Sequence, residues 1–335
     1  MARVGVYHHD VFLEHRPPGY HPENPERIAG LGQALLHALA GAGVARSFAP
    51  ASEDDLALIH ERQYIETIRG LSGRSAALDF DTYICPATYR AALFGAGAAL
   101  DAAQSVARGE LSAAIVLARP PAHHATPSRG MGFCVFNHTA LCAVAAVERG
   151  WAQRVAIVDW DVHHGNGTQE ITYRRGDILY ISTHQWPFYP GTGGVAETGE
   201  GEGEGATINI PLPAGCGDAE YDFVARELIA PALERFRPEL LVVSAGFDAH
   251  KADMLAGMRM SSAGFRALAR RVFRAAGAPA VVVLEGGYDP DALRESLCQV
   301  ALELCGEPWE PPAFGPPDPQ VTWILQEARA LLGVE

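Results

Sequence analysis

Short runs of aliphatic and β-branched residues recur along the chain at Val4–Tyr7, Ala113–Leu117, Val155–Val158, Ile178–Ile181, Thr207–Ile210, Leu240–Ser244 and Ala280–Leu284. Each run is bounded by glycine, proline or polar residues, as expected of strands buried on both faces. Helix-like stretches separate several of them: Pro86–Val106, Thr139–Arg149, Asp218–Phe236 and Ser262–Ala276. This alternation predicts an α/β protein with a mostly parallel sheet and helices on both faces. No composition shift, linker or internal repeat divides residues 1–310, so a single domain over residues 1–335 is expected. Residues 311–319 are proline-rich and read as a connector to a terminal helix over Val321–Leu332.

The polar residues cluster where the apolar runs stop. The run Asp159-Trp160-Asp161-Val162-His163-His164-Gly165-Asn166-Gly167 places two carboxylates and two imidazoles at the exit of one strand. In parallel sheets that end is where ligands bind. Residues i and i+2 of a strand share a side, so Asp161 and His163 can reach one metal ion, and a zinc used in catalysis needs a third protein ligand from elsewhere. The alternative is a set of solvated loop residues, although four ionisable side chains after a buried strand would each need a partner. Other strand exits carry suitable chemistry: His123-His124 after a Pro-Pro turn, Ser182-Thr183-His184, Asp248, and Glu285-Gly286-Gly287-Tyr288. The acidic, glycine-rich segment Gly199–Gly205 lacks the lysine of a phosphate cradle and reads as a mobile or tightly turned loop.

Composition narrows the field. The chain has 335 residues, 48% of them hydrophobic, and a net charge of -14, with a pI near 5.4. Such acidity argues against a nucleic-acid partner and mildly favours cationic substrates. The N-terminus enters strand-like sequence without a signal pattern and no stretch is long enough to span a membrane, so a cytoplasmic location without membrane association is expected. Six cysteines with no CxxC pair read as buried thiols.

The motifs His21-Pro22-Glu23-Asn24-Pro25-Glu26-Arg27, Tyr83-Ile84-Cys85-Pro86, Pro120-Pro121-Ala122-His123-His124, Gly132-Phe133-Cys134-Val135-Phe136-Asn137, the Asp159 run, Ser244-Ala245-Gly246-Phe247-Asp248 and Glu285-Gly286-Gly287-Tyr288 occur in this order. In this series the chain resembles the zinc-dependent histone deacetylase superfamily, in its class II and acetylpolyamine amidohydrolase branch. The resemblance implies an arginase-like α/β fold with an eight-stranded, mostly parallel sheet. It also implies hydrolysis of an acetylated amine, either an acetylated lysine side chain or an acetylated small amine, to free amine and acetate. By position, Asp161, His163 and Asp248 would hold one Zn2+, and His124 would move the proton. Tyr288 would donate to the developing oxyanion, while Asp159 and Asn166 would accept hydrogen bonds from His123 and His124. Because Asn166 is a neutral acceptor, His124 is expected to be the less basic imidazole. A structural K+ is implied at Asp159, Asp161, His163, Ser182 and Thr183. Phe133 and Tyr189, with Gly132 and Gly287, would line the substrate channel, Asp81 would accept the amide N–H or adjacent backbone, and Arg27 would line an acetate exit.

Leu255 stands where polyamine-selective relatives tend to carry an acid, which favours an acetyl-lysine-like or broad substrate. Two other readings remain open, a binuclear manganese hydrolase of the arginase type and an inactive acyl-lysine binding module. Homo-oligomers also occur in the family, and the long segment Val11–Pro25 is a candidate to reach a neighbour's site.

Overall fold

The computed structural model describes residues 2–331. Eight strands form one sheet: β1 (Val4–Tyr7), β2 (Gly43–Arg46), β3 (Ala113–Val116), β4 (Val155–Asp159), β5 (Ile178–Gln185), β6 (Thr207–Leu212), β7 (Leu240–Ala245) and β8 (Ala280–Leu284). Their spatial order is β2-β1-β3-β8-β7-β4-β5-β6, and every pairing is parallel. After β3 the chain jumps across the sheet to β4 and runs outward to β6. It then returns to fill the gap with β7 and β8. The four strands β3, β8, β7 and β4 are therefore neighbours at the centre, although they are far apart in sequence.

Seven strands coincide with the apolar runs. The eighth, β2, pairs only with β1 at the sheet edge and is half-exposed, so Gly43-Val44-Ala45-Arg46 shows no continuous apolar stretch. Strand β5 extends to Gln185, beyond the apolar run, because Ser182, Thr183 and His184 are all buried and continue the ladder with β6.

Helix Ser262–Ala276 carries signals at both ends. Ser261 caps Ser262–Ala276 by accepting from the Gly264 N–H, and Gly277 at φ 57° ends it in the left-handed region. The Asp218–Phe236 stretch is helical but contains a π turn over Ala225–Ile229. Past the proline-rich stretch, helix Pro319–Leu331 buries Val321, Leu325 and Ala328, which share one face, and packs on β6. Leu332, the expected last residue of that helix, lies outside the described residues. The Gly199–Gly205 segment is tightly turned, with the Gly205 N–H donating to the Thr198 carbonyl at 2.8 Å. Among the described residues no helix is long and apolar enough to cross a membrane.

Both ends of Val11–Pro25 are tied into the chain's own core, with Phe12, His15 and Glu23 buried. Glu23 is the hub. Its carboxylate receives both Nε and Nη2 of Arg119, Nη1 of Arg27 at 3.2 Å and the Tyr83 hydroxyl at 3.0 Å. Burial pushes the Glu23 pKa up, but the Arg119 charge and the His15 hydrogen bond outweigh it and hold the group well below the usual carboxylate range. A depressed native pKa contributes stability that is fully present above the ordinary carboxylate range and is lost as pH falls through the native value. Arg119→Met would leave Glu23 short of its main counter-charge, and urea unfolding at pH 7 is expected to show a loss of about 3–5 kcal/mol. The variant's stability should also fall less steeply on acidification. An unchanged unfolding midpoint would sink this account of the network.

Candidate metal centre and active site

The C-terminal ends of the four central strands converge. Strand β3 leads to His123 and His124, β4 to Asp161 and His163, β7 to Asp248, and β8 to Glu285 and Tyr288. The ligand atoms of Asp161, His163 and Asp248 lie within 4.8 Å of one another. His163 Nδ1 is 3.1 Å from Asp161 Oδ1 and 3.1 Å from Asp248 Oδ2. Asp161 and His163 meet for a different reason from strand alternation. Strand β4 ends at Asp159, and the chain then bends, with the Asp161 N–H donating to Asp159 Oδ1 and the His163 N–H to Asp161 Oδ1. The local Asp-x-Asp-x-His spacing thus builds two successive side-chain turns past the strand.

The remaining carboxylate oxygens are occupied. Asp161 Oδ2 accepts the Gly286 N–H at 2.8 Å, and Asp248 Oδ1 accepts the Val162 N–H at 2.9 Å. Glycine at 286 is required because a Cβ there would sit 2.2 Å from Asp248 Oδ2 and 2.6 Å from Asp161 Oδ2. A single imidazole N–H cannot serve both carboxylates, and Asp248 Oδ2 is buried without a hydrogen-bond donor. Burial lowers the His163 pKa, but the Asp161 and Asp248 carboxylates reverse this and hold it up to about 9. Asp248 is pushed up to about 7 by burial and by the charge of Asp161. Two carboxylates and one imidazole brought together at a largely buried point, with one carboxylate oxygen left without a donor, suit a divalent cation of borderline softness.

The paired histidines differ. His123 Nδ1 bonds Asp159 Oδ2 at 3.1 Å, an oxygen that also accepts from the Tyr180 hydroxyl. Burial lowers its pKa, but the charges of Asp161 and Asp159 raise it to about 10. His124 Nδ1 bonds Asn166 Oδ1 at 2.9 Å and is held well below the ordinary value, so the expected order holds. The dominant cause is burial, followed by repulsion from His123 and His163; the Asn166 bond works in the opposite direction.

Glu285 organises the paired-histidine turn. Buried at the β8 end, it accepts the N–H groups of Ala122 (2.7 Å) and His123 (3.2 Å) and the hydroxyls of Thr139 and Ser244. Arg27 braces the next turn, donating from Nε to the Gly287 carbonyl at 2.7 Å and from Nη2 to the Glu285 carbonyl. Its guanidinium stands 4.7 Å from the centre of the Tyr288 ring.

A pocket of about 210 Å³ opens at His163 of the triad, lined by Phe80, Asp81, His124, Gly132, Phe133, His163, Tyr189, Leu255 and Tyr288. Gly132 has φ 56°, and a Cβ on it would meet His124 Cδ2 at 2.4 Å; Phe133 shares the left-handed conformation at φ 69°. That unusual backbone turns the Phe133 ring edge-on to Tyr288, with ring centres 5.9 Å apart. Asp81 at the mouth is raised to about 6 by burial and by Asp79. Asp159 pairs in register with Ser182, next to Thr183 in β5, so these three of the residues expected around a monovalent cation also adjoin.

Three further residues contribute that were not among the expected site residues. Phe188 stacks on His163 at 5.2 Å between centres, exposed Phe80 stands at the pocket mouth, and Asp253 turns inward to main-chain donors. The Phe80-Asp81 adjacency was the available clue for Phe80.

Comparison with known proteins agrees with this geometry. Residues 21–304 match the histone deacetylase domain. The chain is 40% identical to a probable deacetylase of Methanothermobacter thermautotrophicus over 317 residues, 93% of each protein. It is 44% identical to the histone deacetylase-like amidohydrolase of Pseudomonas aeruginosa over 85% of this chain and 77% of that protein. To the human polyamine deacetylase HDAC10 it is 35% identical over 98% of this chain and 52% of that one. The crystal structure of the HDA15 HD domain superposes with a TM-score of 0.91 at 31% identity, covering 99% of this chain and 94% of that one.

The triad makes a direct prediction. Divalent metal added to chelator-treated protein should bind with about one ion per chain and stabilise it by about 2.7 kcal/mol at 100-fold excess over Kd. Asp248→Asn should abolish most of that stabilisation. Two ions per chain would favour a binuclear centre instead.

Proposed function

The chain belongs to the histone deacetylase family and is a hydrolase of acetylated amides with an arginase-like α/β fold; on that premise we propose that it removes the acetyl group from acetyl-lysine side chains. The observation carrying this reading is that His163 of the three-ligand triad, the weakly basic His124 and Tyr288 line one pocket. Asp161, His163 and Asp248 are assigned a Zn2+ ion. When bound, such an ion polarises the amide carbonyl and lowers the pKa of water from about 15.7 to roughly 7.

The chain's own residues supply the rest. Asn166 Oδ1 accepts the His124 Nδ1–H, and Asn166 Nδ2 faces Met131 Sδ at 3.6 Å, which sets the amide's orientation. His124 Nε2 is then the unprotonated nitrogen, able to take a proton from the attacking water and return it to the leaving amine. His123 beside it is held by Asp159, whose carboxylate favours the charged imidazole. Tyr288, which lines the pocket, is assigned as the donor to the developing oxyanion. Phe133 and Tyr189 enclose the aliphatic stem, Gly132 leaves room for His124 and the Tyr189 hydroxyl, Gly287 packs against Phe247 and Leu293 behind the Tyr288 turn, and Asp81 accepts a backbone N–H of the substrate. Arg27 flanks the route for departing acetate. We place K+ at Asp159, Asp161, His163, Ser182 and Thr183, where it would offset part of the buried negative charge.

The second reading, an acetylpolyamine amidohydrolase, draws support from the similarity to a polyamine deacetylase. It is disfavoured because the wall at 255 is leucine, while the neighbouring Asp253 spends its charge on main-chain N–H groups. Turnover of an acetyl-lysine peptide by the zinc-loaded protein is expected to exceed that of N-acetylputrescine and N-acetylspermidine; the reverse order would overturn the substrate assignment. Tyr288→Phe should lower kcat by about 10²–10³ with little change in KM. A fully active Tyr288→Phe protein would remove Tyr288 from the mechanism.

A further inference from the structure

Asp253 is a buried carboxylate outside the metal triad, and both of its oxygens are committed. Oδ2 accepts the N–H of Tyr288 at 2.6 Å, and Oδ1 accepts the N–H of Leu255 at 2.9 Å. Its own N–H is fixed by the His250 carbonyl at 2.9 Å. The two amides belong to different loops: Tyr288 follows β8, and Leu255 lies on the segment that follows β7. Both side chains line the pocket, and the Tyr288 ring meets Phe133 edge-on. A desolvated carboxylate that accepts two main-chain N–H groups resists movement, because releasing either bond leaves a buried charge short of donors.

The geometry points to Asp253 as a positioning residue that locks the oxyanion-donating Tyr288 and the Leu255 wall at one fixed separation, so that a single carboxylate sets both rate and substrate selectivity. This rests on the role proposed above for Tyr288. The alternative is a purely structural role, in which Asp253 stabilises the fold without reaching the chemistry. Asp253→Asn separates the two. An amide keeps one acceptor but turns an NH2 towards the second N–H, so one of the two loops must move.

The test is a double-mutant cycle with zinc-loaded wild type, Asp253→Asn, Tyr288→Phe and the double variant, assayed on an acetyl-lysine peptide and on N-acetylputrescine. Asp253→Asn should lower kcat on the peptide by at least about tenfold, since misplacement of a reacting group by about 1 Å can cost 10²-fold. That loss should shrink below about twofold in the Tyr288→Phe background, because the two residues act through one hydroxyl. The ratio of kcat/KM between the two substrates should shift as the Leu255 wall is released. Equal losses in both backgrounds with an unchanged ratio, or losses that track the folded fraction by circular dichroism, would overturn the inference while leaving the deacetylase reading intact. A wild type inactive on both substrates would overturn that reading and this inference with it. If Asp253→Asn does not fold, amide hydrogen exchange of the wild type decides: the Leu255 and Tyr288 amides must be protected together, and rapid exchange at either overturns the proposal.

Discussion

Burying carboxylates is the constraint around which this protein is built. Glu23, Asp159, Asp161, Asp248, Asp253 and Glu285 are all buried in a chain whose net charge is already -14. Desolvated anions are costly unless each lone pair finds a donor or a cation. The structure answers residue by residue. Glu23 takes two guanidinium groups, Asp159 an imidazole and a phenol, and Glu285 two amides and two hydroxyls. Asp253 takes two amides. Only Asp248 keeps a buried oxygen without a donor, and that residue completes the metal triad.

A parallel sheet makes this collection possible. Every strand points the same way, so each central strand delivers its first loop residues to a single rim, and the buried strands beneath hold those loops to a common floor. The return of β7 and β8 into the gap between β3 and β4 brings four such loops side by side. Arg27 and Glu285 then fix the turns that carry Tyr288 and the paired histidines, and neither needs to touch substrate to matter.

Much of this was legible in the sequence. Fully buried strands leave continuous apolar runs, and their exits showed as abrupt polar clusters, so His123, His124, Asp161, His163, Asp248 and Tyr288 stood out before any coordinates. What stayed hidden has physical causes. Strand β2 is half-exposed and carries no apolar run. Asp161 and His163 converge through side-chain turns, a geometry that strand alternation does not describe. The low basicity of His124 comes from burial and two neighbouring imidazoles, which are tertiary facts; the Asn166 argument reached the right order by an incomplete cause. The role of Asp253 is hidden because its partners are main-chain amides, which have no sequence signature.

The long separations at the centre also bear on synthesis. Asp161 and the Gly286 amide that supports it are 125 residues apart in the chain, and Asp248 joins the triad from between them. On a ribosome, the residues through β8 must emerge before the triad is braced in its final geometry. The fully braced triad is therefore a late feature of a newly made chain, complete only once β8 and the turn after it have joined the sheet.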